Sequence, residues 1–448
     1  MKLIIKLLQI IIILSFFINK SYARTFSIIR DSEIEDFLQE ITSPIIKAAN
    51  LEEKNIKIHI INDQNINAFV TKGQNIFINS GLILKYKDPN ILIGVIAHEV
   101  GHIAGGHLAQ GYENMSNAGN IAALGYLAGI AAAITANNDA GLAILMGSTQ
   151  LTQRLALKYN RSQEEAADRM ALEYLKKTNN SPKGLMKLLE HFKSEEIGYR
   201  KSINEYALTH PINTKRINFI KSSLNNFQDQ KPNITQYDKM QYIIAKLAAF
   251  LIDGSKGLEI FKSNSPYDIY GRSISYFKKG DLKNSLLSIN KLIEMQPSNG
   301  YFYELKGQIQ FESGLTKESI SSYKVAINLL PNPILAKIAI SNSILSLKKD
   351  DKELIAYAIR TLNKARIKEA NNKYILQQLA GAYNKINQKG RSYLSLSELN
   401  LLKEDCKKAK KFANKALEKL KKDDKIFILK ANDIKNICAD DLEEPLRK

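Results

Sequence analysis

Two histidines and a glutamate in the run GVIAHEVGHIAGGHL carry the clearest chemistry of this chain: His98, Glu99 and His102 form an HExxH pattern. On an α-helix of about 3.6 residues per turn, His98 and His102 project from one face about one turn apart, where both imidazoles can hold one metal ion. Glu99 then stands beside the ion rather than on it. That is the place of a general base that takes a proton from a water whose pKa zinc lowers to about 7. The chemistry is hydrolysis, and for this pattern hydrolysis of a peptide bond. With six histidines in 448 residues, composition gives little support to an accidental match at this spacing.

The element that must position these residues is a buried helix. Ile91, Leu92, Ile93, Val95, Ile96 and Ala97 precede the motif and are apolar nearly all round, and imidazole or carboxylate groups on such a helix need partners. A zinc site also needs a third protein ligand. Gly105 stands where one class of zinc peptidases continues its motif, but His107 falls five residues after His102 instead of six. His107 is therefore expected to make a structural hydrogen bond rather than to ligate. The better candidate lies in NRSQEEAADRMALEYL, 160–175, which reads as a helix opening after a polar turn. Glu164 and Asp168 share a face there, and like charges four apart oppose an isolated helix unless a cation relieves them. Glu164 is expected as third ligand, with Asp168 accepting from the free ring nitrogen of a zinc histidine. Ala166, Ala167 and Ala171 let this helix approach the first. Glu165 is expected only in an ordinary i,i+4 pair with Arg169.

NAFVTKGQNIFINSGLI at 67–83, HEVGH at 98–102, EEAAD some sixty residues after it, and LTHPINTKRI at 208–217 come in that order. This ordered set resembles the zinc metallopeptidases that include HtpX, the CAAX prenyl endopeptidases and the mitochondrial Oma-type proteases (peptidase family M forty-eight), over about Ile34 to Ile220. The resemblance implies zinc ligands at His98, His102 and Glu164, a catalytic Glu99, and a supporting Asp168. Thr209, His210, Pro211 and Arg216 match a further pattern of the family. His210 is left with three roles: a donor to the tetrahedral oxyanion, an extra ligand in a resting state, or a loop histidine that shapes the cleft.

The first 23 residues read as a cleaved secretory leader, with Lys2 and Lys6, an apolar core from Leu7 to Ile18, and Ser21-Tyr22-Ala23 before the cut. A core of a dozen apolar residues is short for a bilayer span of about 20. The formal charge of +19 comes from lysines spread among acidic residues. Without a basic stripe carrying stacking aromatics, this argues against a nucleic-acid role and leaves peripheral contact with an anionic membrane open. Cys406 and Cys438 are the only cysteines and can pair or stay free. His59 and His191 receive no role.

Residues 56–61, 67–71 and 75–79 read as short strands, with Lys72-Gly73-Gln74 as a turn, and a strand beside the motif helix can take an extended peptide by edge addition. Met115 to Asn138 has no charged residue and many small ones. It reads as a close-packed helical hairpin near the cleft, with a membrane span as the alternative. A polar run from Asn225 to Thr235 marks a break. Beyond it Gly280 and Gly314 are 34 apart, as are Pro297 and Pro331, the period of tetratricopeptide repeats.

The expected fold is an α+β zincin-like metalloprotease domain, mostly helical with a small sheet, followed by an all-α tetratricopeptide-repeat superhelix. The expected divisions are 1–23 leader, 24–228 metalloprotease domain and 229–448 repeats. Secretion, zincin and repeats together are similar to the BepA-type members of the family, periplasmic proteases that look after outer-membrane β-barrel assembly. That similarity implies a periplasmic enzyme with one zinc per chain. It would act on unfolded or misassembled polypeptides, and its repeats would dock substrate or the outer-membrane assembly machinery. The alternatives are a chaperone or adaptor with a mostly latent protease, and a membrane-associated prenyl-type peptidase.

Overall fold

A computed structural model describes residues 27–71, 73–107, 161–197, 206, 209–227 and 233–440. The leader and the Met115–Asn138 segment lie outside the described residues. Four strands form one mixed sheet: β1 (Ile28–Ile29), β2 (Lys57–Ile61), β3 (Ala68–Thr71) and β4 (Asn75–Asn79). The order is β1-β2-β4-β3, with β2 parallel to β4 and the outer pairs antiparallel. The strand at Ile28–Ile29 is an addition to the three expected from sequence. Its two residues carry no alternation long enough to signal a strand.

Helix α1 (Ser32–Ala48) is capped by Asp31, which accepts from the Ile34 amide at 3.1 Å. The short α2 (Ser80–Lys85) leads into α3 (Pro89–Ala104), which carries HExxH. Asp88 caps α3 by accepting from the Asn90 amide at 3.0 Å, and Pro89 opens it with φ already set for a helix. From Ile91 to Val100 its apolar residues are buried among α1, α4 (Arg161–Lys177), α5 (Lys183–Ile197) and the sheet. At Gly101 the backbone of α4 comes so close that a Cβ would lie 2.8 Å from the Ala167 carbonyl oxygen. The glycine inside the motif is thus what lets α4 approach. Ala167 and Ala171 face that contact fully buried, whereas Ala166 is only partly buried.

Helix α6 (Thr214–Ser223) is capped by Asn213 and leads to α7 (Ile234–Leu251). Met240, Ile243 and Leu247 of α7 belong to the first core, while Tyr242, Ala245 and Ala249 belong to the next. The polar break therefore runs into a helix that both halves share.

Eleven further helices follow: α8 (Gly254–Ile260), α9 (Pro266–Lys278), α10 (Leu282–Met295), α11 (Gly300–Glu312), α12 (Thr316–Leu329), α13 (Ile334–Leu345), α14 (Lys352–Lys368), α15 (Lys373–Lys385), α16 (Lys389–Leu401), α17 (Cys406–Lys419) and α18 (Lys425–Asp440). The α9–α10 and α11–α12 hairpins have matching helix lengths, each bound displaced by the 34 residues that separate Gly280 from Gly314. Both glycines take positive φ, +76° and +83°, in the inter-helix turn, a conformation that disfavours residues with a Cβ. Each helix packs on its neighbour in sequence. In α17 the stripe of Ala409, Ala413 and Ala416 is buried. Lys407, Lys408 and Lys411 are exposed. Cys406 and Cys438 are joined in a disulfide with Cα atoms 5.2 Å apart, which ties the start of α17 to the end of α18. No helix among the described residues is long and apolar enough to cross a membrane.

Candidate metal centre

His98, His102, Glu164 and His210 come together at the junction of α3, α4 and the loop before α6, all buried, and one ligand atom of each lies within 4.8 Å of the others. His98 Nε2 is 3.1 Å from His102 Nε2, 3.4 Å from His210 Nδ1 and 3.4 Å from Glu164 Oε2. Glu164 Oε1 is 3.2 Å from His102 Nε2 and 3.1 Å from His210 Nδ1. A tetrahedral ion with ligand bonds of about 2.0–2.1 Å separates its donors by roughly 3.3 Å, and these spacings are close to that.

The outer contacts say which nitrogen faces inward. Asp168 Oδ1 lies 3.0 Å from His98 Nδ1, so this side of the ring faces Asp168 and Nε2 faces the other three side chains. The Ala68 carbonyl of β3 lies 3.2 Å from His210 Nε2, which donates to it and leaves Nδ1 as a lone pair. His102 Nδ1 meets His107 Nδ1 at 3.0 Å and turns Nε2 inward. Three imidazole nitrogens and a carboxylate oxygen thus converge in a buried site, a donor set that one divalent cation satisfies. The residues fit a divalent ion of zinc type, whose usual ligands are imidazole and carboxylate.

His107 is held behind His102 because α3 ends at Gly105 and Gly106 takes φ +62°, turning the chain back. Its carbonyl accepts from Gln163 Nε2 at 3.2 Å, which ties this turn to α4. Glu99 is fully buried, its Oε1 is 3.4 Å from His210 Nε2, and neither oxygen has a hydrogen-bond partner among the described residues. Burial pushes its pKa up, with His210 and His98 pulling the other way. Burial also lowers His102 well below the usual range. For His98 burial opposes the charge, but Asp168 and Glu164 outweigh it and lift the pKa to about 9.

Arg216 is a residue whose task the sequence did not disclose. It is 1% exposed and grips Asp168 with Nε to Oδ2 at 2.6 Å and Nη2 to Oδ1 at 2.9 Å. Its Nη1 lies 2.6 Å from Glu164 Oε2 and donates to the Pro211 carbonyl at 3.0 Å. One guanidinium thus ties Glu164 and Asp168 to the loop that bears His210. Burial raises Glu164 and Asp168, but Arg216 and the histidines hold both below the usual carboxylate range. Tyr206 stacks on His210 with ring centroids 4.5 Å apart, and Phe192 stacks on Tyr206 at 5.1 Å. The one visible signal for Arg216 is its place six residues after His210, and Tyr206 had none.

Other expectations are redirected. Glu165 is paired with Lys215 of α6 at 3.0 Å, because Lys215 reaches it across the helix contact, and Arg169 is exposed. His59 Nε2 meets Asn75 Oδ1 at 3.0 Å across the sheet, and His191 packs edge-on to Tyr86; neither stands at the metal centre.

Residues 33–224 match the sequence model of Peptidase family M48. This segment belongs to that family. The M48 segment ends before α7, while similarity to individual proteins runs further. The beta-barrel assembly-enhancing protease of Escherichia coli (strain K12) is 24% identical over 318 residues, 69% of this chain and 64% of that protein. The chain thus spans somewhat less than two thirds of that relative's length. The mitochondrial metalloendopeptidase OMA1 of Schizosaccharomyces pombe is 26% identical over 192 residues, 43% of this chain and 53% of that protein. The metalloprotease LoiP of Escherichia coli is 27% identical over 197 residues, 44% of this chain and 72% of that protein.

Proposed function

We propose that the chain is a zinc-dependent endopeptidase of the bacterial envelope that cleaves misfolded or misassembled outer-membrane proteins. The observation that carries this reading is the convergence of His98, His102, Glu164 and His210 with Glu99 buried beside them. His98, His102 and Glu164 would hold the metal, Asp168 would fix His98, and Glu99 would be the catalytic base. A bound zinc ion polarises a peptide carbonyl and makes a water more acidic. Glu99 accepts the proton of the attacking water and returns it to the departing amine, a task its burial suits by raising its affinity for protons.

The pairing of Asn67 with Asn79 turns the backbone groups of Ala68 and Val70 to the side of β3 away from β4. That side faces His210, since the Ala68 carbonyl already accepts from it. An extended substrate would lie along this edge, a mode that selects unfolded chain. We take residues 24–228 as the peptidase domain and 229–448 as tetratricopeptide repeats that dock substrate or assembly machinery, after a leader at 1–23 that sends the chain to the periplasm.

One observation favours a second reading, in which a chaperone or adaptor role dominates and the protease is mostly latent. With His210 as fourth donor the site is closed, whereas catalytic zinc sites keep one position for water. In the active form His210 leaves that position, and a donor role toward the oxyanion is then open to it. The test is metal stoichiometry of purified protein by mass spectrometry. About one zinc per chain is expected in the wild type, little in His102→Ala or Glu164→Gln, and retention in His210→Ala. Equal zinc in all variants would refute the assignment.

A further inference from the structure

The first turns of α1 are held by the helical half of the chain through a contact rich in carboxylates. Lys246 of α7 is buried and lies 2.6 Å from Asp31 Oδ2 and 3.4 Å from Glu33 Oε2. Tyr270 of α9 donates to Glu33 Oε2 at 2.9 Å. Ser32 donates to Glu304 Oε1 of α11 at 2.8 Å, and Tyr301 of α11 donates to Asp36 Oδ2 at 2.9 Å. Beyond α14, Glu369 pairs with Arg30 at 2.6 Å, and Arg30 pairs with Glu35 at the same distance. Tyr242 of α7 and Tyr323 of α12 complete the titratable groups around it. Asp31 and Glu33 therefore share one ammonium group in a largely dry site, and Glu304 adds a third carboxylate beside them on Ser32. Charge balance there calls for a proton.

We propose that this contact is a proton-operated clamp. Proton uptake by Glu304 and Glu33 beside Lys246 tightens α1 against α7, α9 and α11, and proton loss as pH rises loosens it. Burial, opposed by Lys246 and reinforced by Asp31, pushes Glu304 up to about 7, and burial also raises Glu33. Burial disfavours the charge on Lys246, but the three carboxylates outweigh it and keep the ammonium protonated. The sign follows from linkage: a carboxyl group that is a weaker acid when docked than when free favours docking as pH falls from about 7 toward its ordinary value. Because α1 also packs on α3, the clamp couples the helix bearing HExxH to the repeat-like half. The proposal does not depend on peptidase activity.

The test is hydrogen exchange of the full chain at pH 6 and pH 8, corrected for intrinsic rates, in wild type and Glu304→Gln. One proton taken up near pH 7 predicts that protection of amides 32–38 falls about tenfold between the two pH values. Amides of α16 and α17 should not change. Glu304→Gln keeps an acceptor for Ser32 without the charge, so its 32–38 protection should stay high at both pH values. If that variant does not fold, the wild-type comparison between 32–38 and α16–α17 decides alone. A flat wild-type profile, a parallel change in α16–α17, or an unaltered pH response in a folded Glu304→Gln would overturn the clamp.

Discussion

Replacing Arg216 by methionine removes the guanidinium that grips Glu164 and Asp168 of α4 and keeps most of the volume. The guanidinium makes contacts of 2.6 and 2.9 Å with Asp168 and 2.6 Å with Glu164, and all three side chains are buried. Taking one partner from a buried pair leaves an uncompensated charge and costs about 3–5 kcal/mol. The loss is expected in native-state hydrogen exchange of α3 and α4 amides in chelator-treated protein. Zinc should shrink it, because a divalent cation compensates Glu164. The double variant Arg216→Met with Asp168→Asn should recover part of it, since the second change removes one stranded charge. The pH dependence has a definite sign. Asp168 is a stronger acid folded than unfolded, so its contribution is present above the ordinary aspartate pKa and is lost as pH falls through its folded value. The gap between wild type and variant is therefore full at neutral pH and narrows in acid. A loss below about 1 kcal/mol in metal-free protein, or a gap that widens on acidification, would refute the reasoning.

Removing the His210 imidazole with His210→Ala should open the fourth position and raise cleavage of an unfolded protein such as casein severalfold while zinc stays bound. A fall to background would assign His210 to the oxyanion instead. Gly101→Val should push α4 from α3, since even a Cβ meets the Ala167 carbonyl at 2.8 Å; a stability loss of about 1–3 kcal/mol and weaker zinc binding by chelator competition are expected. Cys438→Ser opens a loop of 32 residues and should destabilise α17–α18 by about 3–4 kcal/mol, seen as faster exchange there with casein cleavage unchanged.

The residues at the centre were legible because metal chemistry restricts residue type and helical spacing restricts position. His98 with His102, and Glu164 with Asp168, each lie one turn apart, so each pair could be read from one stretch of sequence. Arg216 could be matched to a pattern but not given a partner, because nothing local says that it crosses from α6 to α4. Tyr206 was invisible for the same reason: its stack on His210 is a tertiary contact. The 34-residue period was visible in Gly280 and Gly314, where positive φ restricts the residue. The two-residue β1 and the carboxylate contact at Lys246 were not, since their pairing is set by distant segments. Residues 225–235 read as a break from their polarity, yet α7 beyond them has two apolar faces and serves both cores.

The most direct test of the central claim is zinc content measured together with casein cleavage on purified protein lacking residues 1–23, wild type against Glu99→Gln. The account predicts about one zinc in both proteins and a fall of 10²–10⁴-fold or more in cleavage for the variant, because Glu99 moves the proton but does not hold the metal. Cleavage that survives in Glu99→Gln with zinc in place would contradict it.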